Sequence, residues 1–591
     1  MKRTATCGSL SLEQKDETVI LNGWVHRNRD HGGIHFVNLR DRYGVTQVVI
    51  DANTYPELRD AAESLKFEYC VAIEGIVRQR PEDMRNPDMT TGDIEIEAKK
   101  IQVLSKSTVL PFMIDERSDA KEDLRLQYRY LDLRSFSMQE KIALRHKVML
   151  AVRNYLSNQG FLEIETPTLI RSTPEGARDF LVPSRHKTGS FYALPQSPQL
   201  FKQILMASGF DKYFQLAHCF RDEDARGDRQ PEHTQIDMEM SFVSKEEVFS
   251  ITEGMMKTLF QQTLGIDIQT PFQRLSYDDA MNRYGSDKPD LRFGLEIQDF
   301  AEFVPGSSFK VFKSVLESGG AVKALVAKGC AGFSRKMITA MEDVAKLYGA
   351  KGLAWMKVTE TGLDGGISKF FIEQDSAIRE NLSAEVGDLI LFVADKWQKA
   401  CVSLGAVRNR LAKDMDLHGS VDFRFSWIVD FPLFEWDEDN EKWEAAHHMF
   451  TMPQAQYLNS MEDDPGAVKG DLYDLVCNGL ELASGSIRVH DPEIQKRIFN
   501  IVGFSEEEAE KRFGFLLKAF QYGAPPHGGI APGLDRLLML MTGEETIREV
   551  MAFPKNTQGI SPMDEAPSTE IDPKQLEELN LKVIKKKEED A

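Results

Sequence analysis

Between Thr234 and Phe242 the chain alternates without a break: Thr-Gln-Ile-Asp-Met-Glu-Met-Ser-Phe. Successive side chains of a strand point to opposite sides, so a sustained period of two excludes a helix here. Ile236, Met238, Met240 and Phe242 share one face, and Gln235, Asp237, Glu239 and Ser241 share the other. Upstream, Lys212-Tyr-Phe-Gln-Leu-Ala-His-Cys219 and Phe220-Arg221-Asp222-Glu223 read as a second strand, with Arg221 and Glu223 on a common face. Joined by the charged loop Asp224–His233, the two make a hairpin with one oily and one ionic face. A surface sheet would also be polar on one side. Gln, Asp, Glu and Arg converging on one face equally suit a site for a polar, charged substrate.

A second hairpin is written in Leu472-Tyr-Asp-Leu-Val-Cys-Asn-Gly-Leu-Glu-Leu482, because Asn478-Gly479 favours the two-residue turn that matches strand twist. That turn sets Val476 opposite Glu481 and makes Asp474 and Glu481 diagonal neighbours on one face. Two such carboxylates are either solvated at a sheet edge or share a cation, for which Mg2+ bridging nucleotide phosphates is a natural candidate. Ser484-Gly-Ser-Ile-Arg-Val-His490 puts Ser486, Arg488 and His490 on one strand face. Gly528-Gly-Ile-Ala-Pro-Gly-Leu-Asp-Arg-Leu-Leu538 reads as a glycine-rich loop opening a helix, a place where backbone N–H groups approach phosphate.

The 591 residues exceed one core and predict an α+β chain of several domains. Residues 1–106 read as five short strands, which fit a closed barrel such as the OB-fold or a small β-sandwich. A charged hinge with a short helix follows at 107–137, then an amphipathic helix over 138–158 stopped by Gly160. Mixed strands and helices fill 138–287 and resume over 417–556. Residues 288–416, richer in Ala, Gly and Lys, read as an inserted α+β module. Residues 557–591 form a polar C-terminal extension ending in Lys585-Lys-Lys-Glu-Glu-Asp590. No apolar run is long enough for a membrane span, and the N-terminus has no secretory h-region. Six scattered cysteines without a CxxC pair point away from zinc and toward a reducing cytoplasm. The net charge of −21 leaves room for RNA only where basic groups cluster locally.

Taken in order, these segments resemble the three signature motifs of the class II aminoacyl-tRNA synthetases. Helix 138–158 with Phe161-Leu-Glu-Ile-Glu-Thr-Pro167 resembles motif 1, Arg221-x-Glu223 with its return strand motif 2, and Gly533-Leu-Asp-Arg536 motif 3. Ser172-Thr-Pro-Glu-Gly-Ala-Arg-Asp-Phe180, Leu194-Pro-Gln-Ser-Pro-Gln-Leu-Phe-Lys202, Arg229-Gln-Pro-Glu232, Ala446-His-His448 and Ala552-Phe-Pro-Lys555 narrow the likeness to the bacterial aspartyl branch, across essentially the whole chain. That resemblance implies an antiparallel-sheet catalytic domain, an N-terminal OB-fold that binds the anticodon, and an inserted domain over 288–416. It implies ATP and L-aspartate as substrates, tRNA-Asp as acceptor, and a homodimer formed through motif 1. Arg221 would grip the α-phosphate and substrate carboxylate, and Arg536 the γ-phosphate. Asp222, Glu223, Gln230, His233, Gly533, Leu534 and Asp535 would line the ATP site, with Mg2+ on Asp474 and Glu481. Glu175, Gln199 and Asp237 would surround the substrate ammonium. Arg488, assisted by Lys202 and His447, would hold the aspartate side chain, an amide there leaving two buried cations uncompensated.

Gly23-Trp-Val-His-Arg-Asn-Arg-Asp-His-Gly-Gly-Ile-His-Phe36 is the local basic patch that the total charge conceals. Phe36 is either a barrel-core residue or a platform for an unpaired anticodon base, with Arg27, Arg29 and Gln47 making polar contacts. His233 stands where the resembled family usually has a phenylalanine that stacks on adenine. Asp30-His31-Gly32-Gly33 resembles the forms that charge both tRNA-Asp and tRNA-Asn, which would bring in a tRNA amidotransferase as a partner. Arg80-Pro-Glu-Asp-Met84 departs from that relaxed pattern, which has a glycine near Asp83. Lysine as substrate would need acidic groups where Lys202 and Arg488 stand. An RNA-independent paralogue forming asparagine would lack residues 1–106. A scaffold without catalysis would have lost Arg221, Glu481, Arg488 and Arg536.

Overall fold

The computed structural model describes residues 1–115, 118–173, 176–419 and 422–584. It divides into two compact units, Met1–Ala143 with Arg548–Ser568, and Leu144–Ile547 with Thr569–Ala591.

In the first unit, β1 (Thr18–Asp30), β2 (Ile34–Asp41), β3 (Gly44–Asp51), β4 (Cys70–Gln79) and β5 (Ile94–Ser105) close into a barrel in the order β1-β2-β3-β5-β4. Alternation fills it: Val25, Val37, Leu39, Val48, Ile50, Ile73 and Ile96 are buried in one core. Closure settles the barrel-or-sandwich alternative, and it leaves no free sheet edge. Buried Glu68 joins β1–β2 to the hinge, accepting from Arg40 Nη2 at 3.0 Å and from Arg134 Nη1 at 2.9 Å. The hinge carries two short helices, Glu122–Gln127 and Arg129–Asp132.

The second unit is built on an eight-stranded sheet. Its spatial order is Gln273–Ser276, Phe425–Val429, Leu472–Cys477, Leu480–Ile487, His527–Pro532, Glu232–Ser241, Lys212–Phe220 and Leu162–Glu163. All neighbours are antiparallel except the two outermost pairs, which are parallel. The helix Phe136–Asn158 ends one residue short of Gln159, and Gly160 follows at φ +83°. The inserted stretch forms its own five-stranded sheet from Ile297–Asp299, Ala321–Ala327, Leu389–Asp395, Ala354–Thr359 and Gly362–Asp364. Helix Trp397–Asp414 packs on that sheet and on helix Tyr277–Tyr284. No described helix is long and apolar enough to cross a membrane. The C-terminal extension carries one short helix, Pro573–Glu578, and Lys585–Asp590 lies outside the described residues.

Candidate active site

A cavity of about 870 Å³ opens on one face of the eight-stranded sheet. Its floor is the ionic face of strand Glu232–Ser241. That face is sealed rather than solvated: Asp237 is 1% exposed and Glu239 0%. Ile236, Met238 and Met240 fill the core on the other side, whereas Phe242 departs from the pattern, turning to φ +57° with 70% exposure.

Burying two carboxylates requires cations, and two arrive from distant segments. Lys202, from helix Gln199–Ala207, donates to Asp237 Oδ1 at 2.7 Å and lies 3.2 Å from Glu239 Oε2. Arg488 donates from Nε to Glu239 Oε1 at 3.0 Å and from Nη1 to Ser486 Oγ at 2.8 Å. Burial pushes the Glu239 carboxyl up, but Arg488 and Lys202 outweigh it and hold Glu239 below the ordinary range. Asp237 goes the other way, because burial exceeds what Lys202 supplies. Its Oδ2 is buried and accepts no hydrogen bond, and Gln199 Nε2 is likewise buried without an acceptor. Unmet groups of this kind at a cavity wall are unfinished hydrogen bonds.

Glu239 corrects the expectation of two uncompensated cations. It stands against both Lys202 and Arg488, so selectivity for a carboxylate would come from a lining made of donors rather than from unbalanced charge. The histidine that touches Arg488 is the neighbour of the one the resemblance assigns to the aspartate side chain. His448, not His447, meets Arg488, with Nε2 2.8 Å from Nη1. Phe450 N–H lies 3.2 Å from His448 Nδ1. A neutral imidazole has one acceptor nitrogen, so these two contacts cannot both be hydrogen bonds. His447 lines the cavity farther along, edge-on to Phe431 and near Glu481, and burial lowers its pKa.

Strand Lys212–Phe220 stops one residue before Arg221, which corrects the strand assignment of Arg221 and Glu223. Arg221 N–H still reaches Pro231 O at 2.8 Å, but the next amide, of Asp222, donates to Arg178 O at 3.0 Å. Asp222 N–H points away from the partner strand, as Phe220 N–H does; the ladder ends because Pro231 has no N–H to return and the next inward amide, of Glu223, turns back to Arg221 O at 2.9 Å. Arg221, Glu223, Gln230 and His233 all line the cavity. Asp222 does not; its carboxylate takes Arg178 Nε at 2.7 Å. Burial first, and then Arg221, hold the His233 imidazole down to about 4.

Residues 528–529 also depart from the expectation. They form part of a central strand, His527–Pro532, rather than a loop. A Cβ on Gly529 would collide with Glu239 Oε2 and Met238 O, so the glycine is there to let the buried carboxylate pass. The helix starts at Leu534, capped by Gly533. Leu534 is fully buried, and Asp535 Oδ2 accepts Thr234 N–H at 2.8 Å, fastening the helix to the sheet. Gly533, Asp535 and Arg536 reach the cavity wall. Arg536 donates to Glu481 O at 3.0 Å and to Asp228 Oδ2 at 3.0 Å, a contact the sequence did not signal.

Asn478 and Gly479 both adopt positive φ, +53° and +83°, and make the tight turn that puts Val476 opposite Glu481. A bulge between Leu475 and Val476 then sets Asp474 opposite Ser484. Asp474 is 2% exposed, its Oδ1 has no hydrogen bond, and burial with the nearby Glu481 raises its pKa well above normal. An orphaned oxygen beside a second carboxylate fits a hard divalent cation completed by ligand oxygens. Among the described residues no cluster of three or more metal-ligating side chains occurs. Glu175 lies outside the described residues.

On the barrel, register places Arg27 and Gln47 opposite Asn38, and Arg29 and Val49 opposite Phe36. All stand on the outer face, since the intervening Val37, Val48 and Ile50 fill the core. Phe36 is therefore not a core residue. Gln47 Nε2 donates to Glu95 Oε2 at 3.0 Å, and His31 is exposed with its ring edge-on to Phe36.

A family model for the OB-fold nucleic acid binding domain matches residues 19–104, and one for class II tRNA synthetases (D, K and N) matches residues 121–557. The chain belongs to the class II tRNA synthetases. Within that family it is similar to the Aspartate–tRNA(Asp/Asn) ligase of Treponema denticola, at 63% identity over 99% of both chains. It is 55% identical to the protein of that name from Treponema pallidum, covering 98% of this chain and 97% of the relative. Among solved structures, asparaginyl-tRNA synthetase from Pyrococcus horikoshii complexed with asparaginyl-adenylate matches with a TM-score of 0.60 at 19% identity, over 94% of this chain and 98% of that one. At that identity the match speaks for the synthetase fold alone.

Proposed function

We propose that the chain is an aspartate–tRNA ligase. It joins L-aspartate to ATP as aspartyl-adenylate with release of pyrophosphate, then transfers the aspartyl group to the 3′-terminal adenosine of tRNA. The observation that carries this reading is the buried set Lys202, Arg488 and Asp237 on the cavity floor, backed by Glu239. Its two cations present N–H donors to a side-chain carboxylate, and an amide NH2 in that place would meet donors with a donor. Asp237 Oδ2, still without a hydrogen bond, accepts the substrate ammonium beside Gln199, and Glu175 is assigned to the same group.

In the first step an α-carboxylate oxygen attacks the α-phosphorus, and the bond to the bridging oxygen breaks with its electron pair leaving on pyrophosphate. Arg221 holds both anions together and Arg536 takes the γ-phosphate, so charge neutralisation and positioning supply the rate without a dedicated base. Glu223, Gln230 and His233 meet the adenosine, while Asp222, Leu534 and Asp535 act by holding the site's walls in place. Asp474 and Glu481 would hold Mg2+, which supplies charge neutralisation at the phosphates. In the second step the terminal adenosine hydroxyl attacks the activated carbonyl and AMP leaves.

The barrel, residues 1–106, is assigned to the anticodon, with Phe36 stacking a base between Arg27 and Arg29, and Gln47 and His31 at the patch's margins. Residues 138–287 and 417–556 carry the chemistry around the module 288–416. Exposed Leu162 and Leu169 flank Pro167 of motif 1 and support a homodimer. Relaxed tRNA choice is supported by the Asp30–Gly33 motif and by relatives named for both tRNAs. Its product, aspartyl-tRNA-Asn, calls for an amidating reaction downstream, hence a tRNA amidotransferase. Six free cysteines suit a reducing cytoplasm.

Aspartate-dependent ATP–pyrophosphate exchange tests the first step; its absence at saturating aspartate and Mg2+-ATP sinks the assignment. Charging of tRNA-Asp and tRNA-Asn transcripts by wild type and His31→Leu tests the acceptor range. The variant is expected to lose tRNA-Asn charging preferentially, and a wild type inert toward tRNA-Asn ends the relaxed reading.

A further inference from the structure

The segment where the inserted module departs from the catalytic sheet is held more firmly than an attachment loop requires. Gly285 sits at φ +69° against helix Trp397–Asp414, and a Cβ on Gly405 would meet Gly285 O at 2.5 Å. The same helix sends the fully buried Arg408 into the turn, donating to Asp290 O at 2.8 Å, Phe293 O at 3.0 Å and Leu295 O at 3.0 Å. Trp397 Nε1 donates to Asn282 Oδ1 at 2.9 Å, just ahead of the turn. On the other side, a Cβ on Gly479 of the carboxylate hairpin would lie 3.4 Å from Asp290 Cβ. The inserted helix thus clamps this turn against the hairpin that carries Asp474 and Glu481.

One side chain on the clamped turn reaches the cavity. Lys288 lines it and lies 3.8 Å from Glu481 Oε2, while Arg536 Nη1 lies 3.8 Å from Glu481 Oε1. The Glu481 carboxylate therefore sits between a cation from motif 3 and one from the root of the insertion. Arg536 is already committed to Asp228, whereas among the described residues the Lys288 ammonium has only this loose ion pair and the side chain keeps 47% of its surface exposed. A flexible ammonium on a fixed backbone beside a carboxylate pair suits a phosphate chain that arrives with its own charge.

We propose that Lys288 binds the β- and γ-phosphate groups of ATP and the pyrophosphate they become, and that the inserted module, through Gly405 and Arg408, positions it. This deepens the assignment of the cavity to ATP and rests on that reading. During activation the bond between the α-phosphorus and the bridging oxygen breaks, and negative charge grows on the departing pyrophosphate. An ammonium there stabilises that charge and is idle once pyrophosphate has left.

The test measures ATP–pyrophosphate exchange, inhibition by pyrophosphate, calorimetric ATP binding and transfer from preformed aspartyl-adenylate to tRNA, for wild type, Lys288→Ala and Lys288→Arg. Lys288→Ala is expected to raise KM for ATP, Kd for ATP and Ki for pyrophosphate together by about tenfold, as for loss of one charge-assisted contact. Transfer from preformed adenylate and KM for aspartate should stay within about twofold, and Lys288→Arg should recover most of the loss. Gly405→Ala should shift the same constants in wild type and add nothing in the Lys288→Ala background. Unchanged ATP and pyrophosphate constants in Lys288→Ala, or an equal loss in both steps, overturn the phosphate role. Additive effects of Gly405→Ala overturn the positioning role. A wild type without exchange defeats the ATP reading itself, separately from either.

Discussion

Glu239 lies wholly out of water with Arg488 and Lys202 against its two oxygens. Taking away its charge leaves two buried cations with only Asp237 to balance them, and breaking a buried pair in this way costs about 3–5 kcal/mol. Glu239→Gln is expected to lose stability on that scale in denaturant titrations, together with aspartate affinity. An exposed-residue response, below about 0.5 kcal/mol, would contradict the geometry. His233 offers a pH-dependent counterpart. Its folded pKa of about 4 lies below the 6.5 of an unperturbed imidazole. The unfolded chain therefore binds the extra proton as pH falls between those values, so the stability drawn from a neutral His233 is complete above 6.5 and drains away below it. His233→Phe should remove that slope, gaining roughly 2 kcal/mol on wild type between pH 7 and pH 5. Parallel pH profiles for the two proteins would refute this. Neither environment was legible from residue types. Alternation put Glu239 on an ionic face, and only the incoming Lys202 and Arg488 turned that face into an interior.

At the scale of elements, the hairpin around Asn478-Gly479 shows what local sequence specifies well. The turn type followed from two residues, and with it the opposition of Val476 and Glu481. The bulge at Leu475/Val476 that retunes Asp474 has no such signature. Asn478 also accepts Arg424 N–H at 3.0 Å and donates to Asp422 O at 2.8 Å. Asn478→Ala should therefore cost about 1–3 kcal/mol through lost hydrogen bonds and strained positive φ. By displacing Glu481 it should also raise the Mg2+ concentration for half-maximal exchange; an unaltered Mg2+ profile would detach the turn from the site. Where expectations failed, the backbone or a neighbouring segment did something that alternation does not encode. Glu223 N–H turns back to Arg221 O, and Pro231 offers no N–H, which ends a strand that alternation would have continued past Arg221. The glycines at 528–529 were read as a phosphate loop because glycine permits close approach. The approach is real, but what comes close is Glu239.

For the whole molecule, the proposed assignment gives activation and tRNA reading to residues in different units, so the two can be perturbed separately. Phe36 lies on the outer face of the barrel and Arg221, Arg488 and Arg536 line the cavity of the other unit. Phe36→Ala is expected to weaken tRNA binding about tenfold or more, the scale of one lost base stack. Exchange measured without tRNA should be untouched, and equal losses in both assays would show that the patch acts by stabilising the chain. Arg29→Ala should flatten the salt dependence of tRNA affinity, as removal of one cation from a polyanion contact does.

Periodicity and turn chemistry, which act over a few residues, determined most of the strands and the barrel's five segments. The ordered series of motifs determined the family. Which residues meet across hundreds of positions was left to tertiary structure: His448 rather than His447 on Arg488, Asp228 on Arg536, Lys288 beside Glu481. Local pattern says which way a side chain points. Burial, and the need of every buried charge for a counter-charge, decides what it finds there.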